Sequence, residues 1–383
     1  MSKLKAAVIG AGFMGRTHVE AIRRLGFVEV AAVAGVNIEE AQRFAKANHI
    51  PRAATVEEIL ADPEIAGIHN CTPNALHAPI SLAALKAGKH VLCEKPLAMS
   101  SKEAKQMLEL AEKKGLCHAT NHNLRYYPAV QQLRRMVENG DLGEILVVQG
   151  TYSQDWLLYE TDFNWRILRK DNGPVRAIGD IGSHWMDMIQ HVTGLSITKL
   201  CADLNIVHKT RKMPKVAVET FAGKKLKPSD YEEIKIDTED YGGVLLHMGD
   251  RCRGAYTVSQ VSAGCKNRFE IFVFGSKMGA SWNQERPDEL WLGCRNEANR
   301  IIVKDPSLFY PKAAAYSDYP GGHSEGYDDS HKQLAKRFWA RVADPKQPVE
   351  YPTFADGLRG MQLIEKVIES DAKRKWVDCA PKK

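Results

Sequence analysis

The chain has 383 residues, which at about 150 residues per domain suggests two domains. Hydrophobic residues make up 44% and charged residues 26%, the mix of a globular protein able to bury a core. The net charge of +6 comes from 53 basic and 47 acidic residues scattered along the chain rather than gathered in a patch or tail, so no nucleic-acid partner is expected.

In chain order, Lys5 to Ile9 reads as a strand, Phe13 to Leu25 as a helix, Val28 to Ala34 as a strand and Ile38 to Asn48 as a helix. Ala66 to Cys71 (strand), Asn74 to Ala87 (helix) and His90 to Cys93 (strand) follow. Ser100 to Lys114 is a predicted helix whose Ser100 and Glu103 have capping-box spacing, and Leu116 to Thr120 is a further strand. Strands alternating with helices of this length imply βαβ units and a parallel sheet. Near Asn123 to Pro128 the rhythm changes. Pro128 to Asn139 reads as a connecting helix, Ile145 to Tyr152 as a strand and Asp180 to Val192 as a helix. Alternating segments at Tyr241 to His247, Gly254 to Val261, Arg268 to Phe274, Ala280 to Asn283 and Glu289 to Gly293 suggest an antiparallel meander. Two helices close the chain, Ser330 to Val342 and Phe354 to Arg374. The predicted fold is α/β: a Rossmann domain over residues 1–125, then a second α/β domain over 126–383 with a large, mostly antiparallel open sheet.

The turn Gly10-Ala11-Gly12-Phe13-Met14-Gly15 follows a predicted strand and opens a predicted helix, the context in which GxGxxG binds a dinucleotide. Gly10 permits the tight turn, Gly12 lets the backbone approach a pyrophosphate, and Gly15 lets helix and strand pack closely. The helix N-terminus offers N–H groups and a positive dipole end to the phosphates. About 20 residues further on, where an acid would grip the ribose of NAD, stands Gly35, with Asn37 beyond it. The choice between NAD and NADP is open at this stage. Arg16 and Arg43 are only distant candidates for a 2′-phosphate.

Cys93-Glu94-Lys95-Pro96 ends a parallel strand, where ligands of such sheets bind, so Lys95 is expected to face the cofactor crevice. Asp180 and His184 stand four residues apart, one face of a helix. An acid beside a histidine suits a general base, and equally an N-cap beside a structural histidine. The eight cysteines include no C-x-x-C pair, and His323, Glu325, Asp328 and His331 have no standard ligand spacing, so no metal is expected. Unpaired cysteines fit a reducing cytoplasm. The apolar run Ala6 to Gly15 is broken by glycines and lacks a cleavage site, and no run reaches a membrane span, so no membrane partner is expected.

Gly10 to Gly15, Thr72-Pro73-Asn74 with His77, Glu94-Lys95-Pro96, Asn123-Leu124-Arg125 and Gly179 to His184 together resemble the glucose–fructose oxidoreductase / inositol dehydrogenase / rhizopine-catabolism oxidoreductases. The resemblance covers nearly the whole chain. It implies NAD or NADP as cofactor, a carbohydrate or polyol substrate, and a homodimer or homotetramer formed through the C-terminal sheet. It also implies that Lys95, Asp180 and His184 are catalytic. Gly10, Gly12, Phe13, Met14, Gly15, Gly35, Asn37, Thr72, Pro73, Asn74, His77, Glu94, Lys95, Pro96 and Asn123 become the expected cofactor residues. A looser similarity, through Gln154-Asp155-Trp156 and Thr161 to Arg166, points to a levoglucosan-dehydrogenase-like, sugar-oxidising subgroup. With Arg125 of the family motif and His323 of the Gly-rich loop Pro320 to Tyr327, Trp156, Trp165 and Arg166 are the expected substrate residues, apolar faces and polar groups being what a sugar needs. The rival readings are an imine or biliverdin-type reductase, which needs no histidine base, and a sensor that binds NAD(P) without turnover.

Overall fold

The computed structural model describes residues 3–215 and 227–381. These divide into two compact units, Met1–Tyr126 with Gly326–Met361, and Tyr127–Glu325 with Gln362–Lys383.

In the first unit six strands form one parallel sheet in the order β3-β2-β1-β4-β5-β6. They are β1 (Leu4–Ile9), β2 (Val28–Ala34), β3 (Arg52–Ala53), β4 (Ile65–Asn70), β5 (His90–Cys93) and β6 (His118–Thr120). This is the order of a doubly wound dinucleotide-binding fold, with its switch point between β1 and β4. Helices α1 (Phe13–Arg23), α2 (Ile38–Ala47), α3 (Val56–Ala61), α4 (His77–Lys86) and α5 (Ser101–Lys114) connect the strands. Buried Ala6, Ala7, Val8, Ile68, Val91 and Leu92 fill the centre, the unbroken apolar strands that a sheet covered on both faces requires. Sequence periodicity passes over β3 and α3, which are too short to repeat, although Thr55 and Glu58 form a full capping box on α3. The Ser100 box is half formed. Ser100 accepts the Glu103 N–H, but the Glu103 carboxylate reaches back to the Met99 N–H instead. The helix Tyr327–Ala343 also belongs to this unit, and its Trp339 lies over Gly67 of β4, where a Cβ would sit 3.2 Å from the indole.

The second unit is built on a nine-stranded sheet. Its strands are β7 (Ile145–Ser153), β8 (Ile197–Asn205), β11 (Tyr241–Met248), β12 (Cys252–Ser259), β13 (Arg268–Gly275), β14 (Gly279–Asn283), β15 (Glu289–Gly293), β16 (Arg300–Val303) and β17 (Val377–Asp378). The order is β16-β15-β14-β13-β7-β12-β11-β8-β17, antiparallel except where β7 runs parallel to β12. Strands β9 (Thr210–Pro214) and β10 (Tyr231–Lys235) form a separate hairpin. Strands β8, β9, β10, β16 and β17 have no counterpart among the segments that the sequence predicts. The helix Ser183–Thr193 covers one face, with Trp185 fully buried against Tyr256 at 4.4 Å. Gly150 of β7 makes room for it, since a Cβ there would come within 2.4 Å of the indole nitrogen. The other face leaves Val147 and Leu245 exposed. Among the described residues no helix is long and apolar enough to cross a membrane.

Candidate active site

The glycines at the end of β1 are demanded by space. Gly10 has φ of +114°, and a Cβ on it would lie 2.5 Å from the Cys71 carbonyl oxygen. A Cβ on Gly15 would lie 1.9 Å from the Gly10 oxygen. Gly12 is the opposite case, with nothing within 4 Å of where its Cβ would stand and no side-chain cap on the helix it begins. That open backbone at a helix N-terminus fits a pyrophosphate. Phe13 is exposed beside Tyr327, whose hydroxyl meets the Met14 sulfur at 3.5 Å.

Across the switch point, His77 ties two loops together. Its Nε2 lies 2.9 Å from the Thr72 oxygen and its Nδ1 2.8 Å from the Pro96 oxygen. Both partners are carbonyls, so both bonds form together only on an imidazolium. Burial lowers the His77 pKa, against the pull of those carbonyls. Asn74 is buried at the start of a 3-10 turn, Asn74–Leu76, that precedes α4, and Pro73 stands at its cap. The Lys95–Pro96 peptide is cis.

Glu94, next to the lysine, is held by a chain of groups that sequence spacing did not reveal. Trp339 Nε1 donates to His69 Nε2 (2.9 Å), His69 Nδ1 meets His18 Nδ1 (2.7 Å), and His18 Nε2 meets Glu94 Oε1 (2.7 Å). Asn121 also donates to Glu94 Oε1, and the Lys95 N–H donates to Oε2 at 3.2 Å. An indole nitrogen can only donate. His69 Nε2 is therefore an acceptor, His69 carries its proton on Nδ1, His18 accepts there, and His18 donates from Nε2 to the carboxylate. Only one set of tautomers satisfies the chain. Burial opposes the Glu94 charge, but the His18 bond and nearby Lys95 outweigh it and bring the carboxyl down to about 2. The expected result from ¹⁵N NMR is a proton on Nδ1 of His69 and on Nε2, not Nδ1, of His18. A His18 proton on Nδ1 would refute the chain. The sequence signal available was His18 itself, a polar residue on the buried stripe of α1 with Gly15, Val19 and Ile22.

His331, buried beside His18 with ring centroids 5.6 Å apart, accepts from Asn121 through Nδ1. Burial drives its pKa down to about 3 and lowers that of His69 well below the ordinary value. In the unfolded chain both histidines take protons near pH 6.5. The unfolded state therefore binds more protons below that pH, and stability falls as pH drops from about 6.5 towards 3, by up to about 1.4 kcal/mol per pH unit for each group. Urea titrations at pH 7 and 5 should show the loss, and His331→Gln should reduce it. An unchanged slope in the variant would be inconsistent with a neutral, buried His331.

Asn37 caps α2 by accepting the Glu40 N–H at 2.8 Å. Asn123 is buried and donates to Ser330. Arg125 is ion-paired with Asp356 at 2.8 Å, so part of its charge is committed within the unit.

In the second unit the segment Ile178–Gly182 is a π-helical turn leading into the helix Ser183–Thr193. The single regular helix expected from Asp180 onward is therefore preceded by a wider turn, a form frequent at functional sites. Asp180 accepts from Gln260 at 3.0 Å, and Arg166 Nε stands 4.0 Å from its other oxygen. His184 is buried near Tyr152. Glu239 accepts the Arg176 and Ile178 N–H groups at 3.0 and 2.8 Å and so fastens the start of the π turn. Burial pushes its carboxyl up to about 7 against those bonds. Arg166 stacks on Trp165, 4.5 Å from the ring centroid. Trp156 donates to Gln154 and packs on a small cluster of Leu157, Ile167 and Ile236. His323 is exposed, and its neighbour Glu325 is buried in an ion pair with Lys304 at 2.8 Å.

A doubly wound parallel sheet with this glycine turn defines a dinucleotide-binding oxidoreductase fold. Residues 4–122 match the oxidoreductase family with an NAD-binding Rossmann fold, and residues 130–280 match the GFO/IDH/MocA C-terminal domain. The chain belongs to this family. It is 28% identical to a levoglucosan dehydrogenase of Pseudarthrobacter phenanthrenivorans, over 99% of this chain and 98% of the relative. A glucose-6-phosphate 3-dehydrogenase of Bacillus subtilis is 26% identical, over 96% of each chain. A structure of levoglucosan dehydrogenase in complex with NADH and L-sorbose superposes with a TM-score of 0.89 at 26% identity and full coverage of both chains.

Proposed function

We propose that this protein is a dehydrogenase that oxidises a secondary alcohol on a sugar, sugar derivative or cyclic polyol, reversibly. The observation that carries this reading is Lys95, on the turn that follows β5 at the carboxyl end of the parallel sheet, with Glu94 and Pro96 on either side of it bonded by buried side chains. Relatives that act on levoglucosan and glucose 6-phosphate support the substrate class. A bound nicotinamide supplies the hydride acceptor. His184 takes the hydroxyl proton, Asp180 holds and stabilises the charged imidazole, and Lys95 stabilises the developing alkoxide. Trp165, Arg166 and Trp156 are the proposed sugar-facing residues.

The test is a panel of levoglucosan, L-sorbose, myo-inositol and glucose 6-phosphate with NAD⁺ and NADP⁺, read by absorbance of the reduced nicotinamide. Tight cofactor binding without turnover on any panel member would favour a sensor over an enzyme. Retained turnover in His184→Asn would favour a reductase that needs no histidine base.

We also propose that the exposed face of the nine-stranded sheet, with Val147 and Leu245, is a subunit interface between copies of the chain. Leu245→Arg should lower the mass measured by light scattering to that of a monomer. A monomeric parent protein would refute the interface.

A further inference from the structure

Position 35, at the end of β2, is where a carboxylate that grips the ribose 2′-hydroxyl usually arises. Here it is glycine, yet the backbone does not call for one, since Gly35 lies outside the left-handed region. The reason is space. A Cβ on Gly35 would stand 2.6 Å from Glu40 Oε2, 3.1 Å from the Ala41 nitrogen and 3.3 Å from the Glu40 Cβ. The first of these is close to the reach an aspartate has from its own Cβ to its own carboxylate oxygen. Glu40, from the first turn of α2, thus puts a carboxylate where an acid at position 35 would put one.

The placement is fixed. Glu40 Oε2 accepts the Val36 N–H at 2.7 Å, and the Glu40 N–H donates to the Asn37 cap at 2.8 Å. Side chain and backbone of Glu40 are both tied to the β2–α2 turn. Among the described residues no Lys or Arg forms an ion pair with Glu40. Arg16, one of the basic residues near the turn, is engaged with Glu20 at 3.1 Å. Arg43 is exposed further along α2. No described Lys or Arg therefore neutralises the carboxylate at the end of β2.

We infer that Glu40 is the cofactor-specificity residue: its carboxylate accepts the ribose 2′-hydroxyl of NAD and repels the 2′-phosphate of NADP. This deepens the dehydrogenase reading and rests on its dinucleotide site. A glycine at position 35 then marks a carboxylate moved to the next element, not one that is missing.

The test is direct binding of NADH and NADPH to the full-length protein, followed by nicotinamide fluorescence, so no substrate is needed. The wild type should bind NADH at least about tenfold more tightly than NADPH, the scale of one charge-assisted hydrogen bond. Glu40→Gln keeps the shape of the side chain and should weaken NADH by about tenfold while strengthening NADPH. Glu40→Ala should lose the preference, and Glu40→Ala with Gly35→Asp should regain it, because the carboxylate then arises from β2 in the vacated space. A merely structural Glu40 would not be rescued by moving its charge. Equal NADH and NADPH affinities in the wild type, or an unchanged ratio in Glu40→Gln, would overturn the assignment of Glu40 while leaving the dinucleotide site intact. Failure of both nucleotides to bind the wild type would overturn both.

Discussion

Lys95→Ala is expected to lower turnover of the best substrate in the sugar and polyol panel by about 10²–10⁴-fold, the range associated with a positioned acid–base or charge-stabilising group. The effect on NADH affinity should be far smaller. The backbone around Lys95 has supports of its own, since its N–H donates to Glu94 and the next carbonyl bonds His77. Glu94 in turn is held by His18 and Asn121. The turn should keep its shape in the variant, and the loss should fall on kcat. Steady-state kinetics beside NADH titration separate the two. An unchanged kcat would remove Lys95 from the chemistry, and a loss confined to NADH binding would make it a cofactor residue only.

The largest stability effect is expected at Asp240. Its Oδ1 accepts from both Arg176 and Arg211, whose side chains have no exposure, and its Oδ2 accepts the Val207 and His208 N–H groups at 2.9 and 3.0 Å. Burial raises the carboxyl pKa, but the two guanidiniums outweigh it and leave Asp240 below its ordinary value. Asp240→Ala would leave two buried guanidiniums without the carboxylate they share. Breaking one buried pair in this way costs about 3–5 kcal/mol. The damage should reach Asp180, because the Asp240 carbonyl accepts the Gln260 N–H and Gln260 donates to Asp180. Urea denaturation followed by tryptophan fluorescence measures the loss. A change below about 1 kcal/mol would mean that the cluster is not the buried charge centre described.

The turn at Gly10 to Gly15 was legible because each glycine has a separate steric reason, and those reasons act between neighbours in sequence. The Lys95 turn was legible as the end of a strand. The chain that fastens Glu94 was not, because its links join residues 51, 76 and 270 positions apart. Its last member lies in a helix after residue 326 that the periodicity places but cannot assign to a unit. Gly35 shows a subtler limit. The sequence shows an acid missing from β2, but not that the Glu40 side chain folds back over the gap. Likewise Asp180 and His184 have helical spacing whether the turn between them is α or π.

The single parallel pairing in the second sheet has a consequence for synthesis. β7 is complete at residue 153, yet both its neighbours, β12 and β13, lie between residues 252 and 275. As the chain leaves the ribosome, β7 waits through about a hundred residues before any partner exists. The helix Ser183–Thr193, with Trp185, Met186, Met188 and Ile189, emerges in that interval without the sheet it will cover. Non-local pairing of this kind slows folding and leaves apolar surface open to aggregation. Nascent chains stopped before residue 252 should be the ones that chaperones hold.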